Sequence, residues 1–177
     1  MLRLATLSAF ALSGSALWVL FEHARGPVDE PEPNPLTGQP VPAFAVPPLQ
    51  DGTGLATRDF AGAERPVLLN FFASWCAPCV QEMPVLLALR QQGLAIWGIA
   101  YRDTPAAATA FLARVGNPYQ RIGRDDDGAT GPAFALSGVP ASFLVDRSGI
   151  VQWSWAGRLS PDVAAQALTP LLNAMHG

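Results

Sequence analysis

The chain has 177 residues, of which half are apolar and 14% charged, with a net charge of −3. That length suits one domain with a real hydrophobic core. No Lys/Arg cluster and no interleaved aromatic-basic stripe is present, which excludes the electrostatic footprint of a nucleic-acid binder.

In chain order, "MLRLATLSAFALSGSALWVLFEHARG" places Arg3 ahead of a charge-free run from Leu4 to Phe21. As a helix that run spans roughly 27 Å, close to the hydrocarbon thickness of a bilayer. An uncleaved signal anchor over residues 1–25 is the leading reading. A cleaved signal peptide competes, because Gly14 and Ala16 are small residues in an A-x-A-like arrangement; a buried core helix is the third alternative. Arg3 before the span puts residues 22 onward outside the cytoplasm. His23 and Arg25 argue the other way, though Glu22, Asp29 and Glu30 accompany them.

Gly26 to Pro48 carries eight prolines and reads as an extended, semi-rigid spacer. The expected division is a linker over 26–40 and a folded domain over 41–177, whose "VPAFAVPPL" offers a short edge strand. "PVLLNFF" and "LAIWGIAY" are continuous apolar runs of the length expected for strands buried on both faces, and residues 76–91 between them predict a helix. "TPAAATAFLARVG" has Thr104 as N-cap, proline at the first helical position and Gly116 as terminator. "ASFLVDRSGIVQWSW" predicts two strands joined around Asp146–Gly149. A last helix starts at Ser160, with Pro170 expected to kink it. The order β-α-β-α-β-β-α predicts an α/β fold with a mixed central sheet, its early strands parallel and its hairpin antiparallel.

Both cysteines lie in "NFFASWCAPCVQEMP", after the first strand and at the start of a helix. A structural staple, half of a zinc site and a redox couple all fit the spacing. A closed zinc site needs two further ligands, and the only histidines, His23 and His176, stand at the chain's extremities. A staple across so short a loop constrains the unfolded chain little. Redox chemistry is the leading reading, because a helix amino terminus favours thiolate over thiol. Two intervening residues also let one thiol reach the other and resolve a mixed disulfide. Cys76, nearer the exposed start, is the expected nucleophile and Cys79 the resolving thiol, with no metal and no cofactor beyond that pair. In "SGVPASFLVD", a proline at a strand's first position cannot donate to the ladder; an ordinary trans proline ending a loop is one reading, but with the preceding CxxC Pro140 is expected to be cis, laying Val139 beside the cysteines.

With WCxxC at a strand–helix junction and Val-Pro before a core strand, the sequence resembles the thioredoxin superfamily. "WGIAYRD", "GNPYQRI" and "GVPASFLVDRSGIV" make it more closely similar to the membrane-anchored DsbE/CcmG branch, over nearly the whole chain. The resemblance implies a thioredoxin-like domain behind an N-terminal transmembrane helix, at the periplasmic side of a bacterial inner membrane. It implies reduction of the haem-binding cysteines of apocytochrome c by a mostly monomeric protein, which a transmembrane thiol-electron transporter re-reduces. Carried over, Cys76 and Cys79 are the redox pair and Pro140 is the cis-proline. Glu82, one turn past Cys79, is the acid that tunes the thiols and takes a proton. Trp75, Ala77, Pro78, Val139 and Ala141 surround the pair as client-contacting positions. The chain departs from the pattern at Asn70, where thioredoxins often carry an aspartate, and at Ala141, where the branch commonly has glutamate. The tyrosine usual shortly before Val-Pro is also missing. Two other functions compete: a broader TlpA/ResA-like periplasmic reductase, and a thiol peroxidase, for which "ASWCAP" lacks the usual Thr and Arg. A non-enzymatic membrane-tethered docking module with stapled cysteines completes the set.

Overall fold

The computed structural model describes residues 34–176. The expected anchor lies outside these residues, as does the linker before Asn34. Among the described residues no helix is long and apolar enough to cross a membrane.

The centre of the domain is β3 (Val67–Phe72), buried at every position, as a strand covered on both faces must be. It pairs in parallel with β4 (Ala95–Tyr101) and antiparallel with β6 (Ala141–Val145). β5 (Arg121–Asp125) adds to β4 in parallel and β7 (Val151–Ala156) to β6 antiparallel, giving the order β5-β4-β3-β6-β7. Helices α1 (Ala77–Gln91) and α2 (Pro105–Val115) make the two crossovers that parallel pairing requires. This is the thioredoxin-like mixed sheet the sequence predicts.

β5 is one strand more than the sequence order predicts. "RIGRD" is polar because Arg121 turns outward to Asp59 Oδ2 at 2.8 Å and Gly54 O at 2.6 Å, and its guanidinium lies 4.9 Å over the Trp97 ring. Its outer edge is covered by the chain at 47–49, through Leu49 N to Ile122 O and Arg124 N to Pro47 O. At the opposite edge, residues 38–41 cover only the start of β7, exchanging bonds with Val151 and with Gly149 just before the strand. The packed body reaches back to Asn34, whose Nδ2 donates to Phe134 O at 3.2 Å. A short pair, β1 (Ala45–Val46) with β2 (Leu55–Ala56), and a 3-10 helix at Thr57–Gly62 complete this end.

Thr104 and Ser160 cap their helices by accepting from Ala107 N and Val163 N. Gly116 ends α2 at φ +93°, a conformation that favours glycine. The last helix, α3, opens as Pro161–Val163, widens into a π-helical turn at Ala164–Leu168 and continues as Thr169–His176. Where the sequence predicts a kink at Pro170, this wider turn just before it absorbs the proline. Thr169 Oγ1 donates to Ala164 O at 2.8 Å to close the turn.

Candidate active site

The site forms where β3 stops. Ala73–Trp75 turns the chain, with Cys76 N donating to Ala73 O at 3.2 Å, and Cys76 becomes the N-cap of α1. Its sulfur accepts from Cys79 N at 3.1 Å, so it occupies the position where unpaired helix N–H groups converge. Pro78 sits in the first turn, where a missing N–H costs nothing. Cys76 and Cys79 are joined as a disulfide with Cα atoms 5.3 Å apart. Cys76 is 3% exposed and Cys79 fully buried, whereas Trp75 is 61% exposed; Ala77 and Pro78 are exposed beside it.

The Val139–Pro140 bond is cis, and Val139 O lies 3.5 Å from Cys76 Sγ. Pro140 is buried and accepts from Gly157 N at 2.8 Å. Val139 is half-buried, but Ala141 is inside the sheet, 4% exposed and paired with Phe71 and Ala156. Of the five positions expected to meet a client, Ala141 is therefore the one whose side chain is turned away from solvent.

Two residues of "WGIAYRD" hold the loop before Cys76. The Asp103 carboxylate accepts from Ser74 N at 2.6 Å, Ser74 Oγ at 2.9 Å and Thr104 N at 2.8 Å. Arg102 O accepts from the Trp75 indole at 3.0 Å. Arg102 adopts φ +49° to present that carbonyl, a conformation uncommon outside glycine. The sequence reading did not assign this clamp.

Glu82 is fully buried one turn beyond Cys79. Its Oε1 accepts from Asn70 Nδ2 at 3.0 Å and its Oε2 from Leu159 N at 3.0 Å. Burial raises its pKa to about 7; the bonds from Leu159 and Asn70 and the charge of Arg158 pull the other way. An acid poised there can exchange a proton near neutral pH. Asn70 is thus the partner of the acid in this site. Its Nδ2 also donates to Ser142 Oγ at 3.1 Å, and its Oδ1 accepts from Tyr119 OH at 2.6 Å.

The sequence reading missed Tyr119, Ser142 and the Leu159 amide. A signal for part of this existed. Asn70, Gly98 and Ser142 are the misfits of three apolar strands, and register places them in one row across the sheet. Among the described residues, no group of three or more His, Cys, Asp or Glu side chains is arranged to hold a metal ion.

Residues 36–168 match the family model described as Redoxin. The chain is 39% identical over 140 residues to the thiol:disulfide interchange protein HelX of Rhodobacter capsulatus, covering 79% of each. It is 35% identical over 163 residues to the thiol:disulfide interchange protein DsbE of Escherichia coli, covering 91% of this chain and 87% of that one. Among solved structures, a thiol:disulfide interchange protein DsbE from Chlorobium tepidum superposes with a TM-score of 0.68 at 29% identity, covering 80% of this chain and 98% of that one.

Proposed function

The chain belongs to the Redoxin family and, within it, to the DsbE and HelX thiol:disulfide interchange proteins; from that premise we propose that it reduces the haem-binding cysteine pair of apocytochrome c during cytochrome c biogenesis. It is a thiol:disulfide oxidoreductase whose clients are thiol-bearing proteins. The observation that supports the exchange chemistry is the Cys76 sulfur at the N-cap of α1, with a buried carboxyl one turn deeper than Cys79; the choice of client rests on the resemblance to the DsbE/CcmG branch.

The exchange balances as follows. Cys76 thiolate, favoured by the Cys79 N–H and the helix terminus, attacks one sulfur of the client disulfide and releases a client thiolate. Cys79 then loses its proton to Glu82 and attacks Cys76 Sγ, freeing the second client thiolate and closing the Cys76–Cys79 disulfide. Two electrons pass to the client. Pro140 and Val139 hold backbone beside the reacting sulfur, and Trp75, Ala77 and Pro78 present the surface a client meets. The protein acts as a monomer, tethered by residues 1–25 to the inner membrane with its domain in the periplasm. A transmembrane thiol-electron transporter returns the pair to the dithiol.

Ala141 favours a second reading, a reductase of wider client range, because it is apolar and buried where the branch commonly carries glutamate. An oxidised CxxCH peptide from an apocytochrome, offered beside an unrelated disulfide protein, separates the two. Selective reduction of the haem-site peptide supports the cytochrome role, and equal rates on both support the wider one. Failure on both, with hydroperoxide consumed instead, would overturn the reductase reading.

A further inference from the structure

Both oxygens of Glu82 are held, and one holder is in turn gripped from outside the thiol chemistry. On β4, Gly98 lies opposite Asn70. A Cβ at 98 would stand 2.9 Å from Tyr119 Cγ, closer than real Cβ atoms come, and a tight 3.0 Å from Phe72 Cε1. The missing side chain is what admits the Tyr119 ring, stacked on Phe72 with centroids 4.8 Å apart. From there the phenol donates to Asn70 Oδ1 at 2.6 Å, leaving both amide N–H groups for Glu82 Oε1 and Ser142 Oγ. The geometry points to Tyr119 as a positioning residue that, acting through the Asn70 amide, sets the proton affinity of Glu82.

Two physical effects carry this, and both have the same sign. A donor into the amide carbonyl polarises the amide and strengthens its N–H groups as donors; a stronger donor favours carboxylate over acid. Without the phenol, Oδ1 is buried and unpaired. The amide then gains by turning its oxygen toward Glu82, an arrangement only the protonated acid satisfies. Tyr119 keeps its proton in this role, because burial and then the Glu82 charge push its pKa well above the usual range. The groups facing Glu82 are Cys79 on its own helix, Tyr119 ahead of β5 and Arg158 in the β7–α3 loop. β3 and β6 contribute Asn70 and Ser142, neither ionisable. The inference rests on the proposed Cys79-to-Glu82 proton transfer only for its consequence at the thiols.

The test uses the full chain in detergent with carboxyl-labelled glutamate, the Glu82 resonance being assigned by its loss in Glu82→Gln. Tyr119→Phe is expected to raise the Glu82 titration midpoint by about half a pH unit. Replacing Tyr119 by 3-fluorotyrosine, a more acidic phenol that keeps the ring and the hydrogen bond, is expected to lower it. This second variant decides the matter if Tyr119→Phe does not fold. A midpoint that stays put in whichever variants fold overturns the inference. Alkylation rate against pH, recorded on the same reduced samples, reports the thiols. A shifted carboxyl with a shifted thiol profile supports both readings. A shifted carboxyl with an unmoved thiol profile supports Tyr119 positioning and removes Glu82 from the thiol chemistry.

Discussion

On one face of the central sheet, Phe71 and Phe143 pack with Phe134 at 5.9, 4.9 and 5.3 Å between ring centroids, and Phe60 meets Trp97 at 4.9 Å. On the other face the same strands, one residue out of phase, present Gly98, Asn70 and Ser142 toward α1. The first face is an aromatic core in the ordinary sense, and its residues contribute by area removed from water. The second interrupts an equally buried apolar layer, Leu68, Phe72, Met83 and Leu86 among its members, with a polar row ending on a carboxyl. Such a row survives in low dielectric only when every member is partnered. Among the described residues no buried side-chain nitrogen or oxygen lacks a hydrogen-bond partner. Both sides of the strand thus carry buried apolar packing, and the polar row that reaches the carboxyl is confined to one of them.

The sharpest break between the faces is at the thiols. Cys76→Ala is expected to lower client reduction by at least about 1,000-fold with the fold intact, whereas Cys79→Ala traps client as a mixed disulfide on non-reducing gels. On the aromatic face the reverse holds. Phe134→Ala should cost about 3–5 kcal/mol in denaturant unfolding and leave the thiol potential where it was; a moved potential would mean the faces are not separable.

Next in size is the pH dependence of stability. Glu82 is raised from its ordinary 4.5 to about 7, so between those values the folded chain keeps a proton that the unfolded chain has lost. Stability from this group is therefore full below pH 4.5 and falls as pH rises through 7, by roughly 3 kcal/mol. Glu82→Gln should flatten that slope, and unfolding curves at pH 5 and pH 8 that differ as much as the parent's would contradict it. The smallest effect is expected at the row's glycine. Gly98→Ala forces the Tyr119 ring aside and should cost about 1–3 kcal/mol in unfolding experiments.

Much of the fold was legible because local signals agreed with it. Thr104, Gly116 and Ser160 mark helix ends by chemistry that needs no tertiary context, and "PVLLNFF" is a continuous apolar run of the length expected for a strand buried on both faces. β5 was hidden because an edge strand whose arginines reach outward loses the apolar alternation that announces strands. The cysteine pair was legible from spacing, and the acid one turn beyond Cys79 from the resemblance to the DsbE/CcmG branch. The network around that acid was not, since Leu159 reaches Glu82 from 77 residues away and Tyr119 reaches Asn70 from 49. Asn70 itself was visible as a polar residue in an apolar run, and only the register of three strands turns it into the donor that holds Glu82.

The reduction potential of the Cys76–Cys79 pair tests the account most directly, by equilibrating the intact chain with glutathione or dithiothreitol and following Trp75 fluorescence. A value of about −180 mV or lower, toward thioredoxin-like couples, is what a reductase requires. A value near about −120 mV, that of a strong disulfide donor, would contradict it.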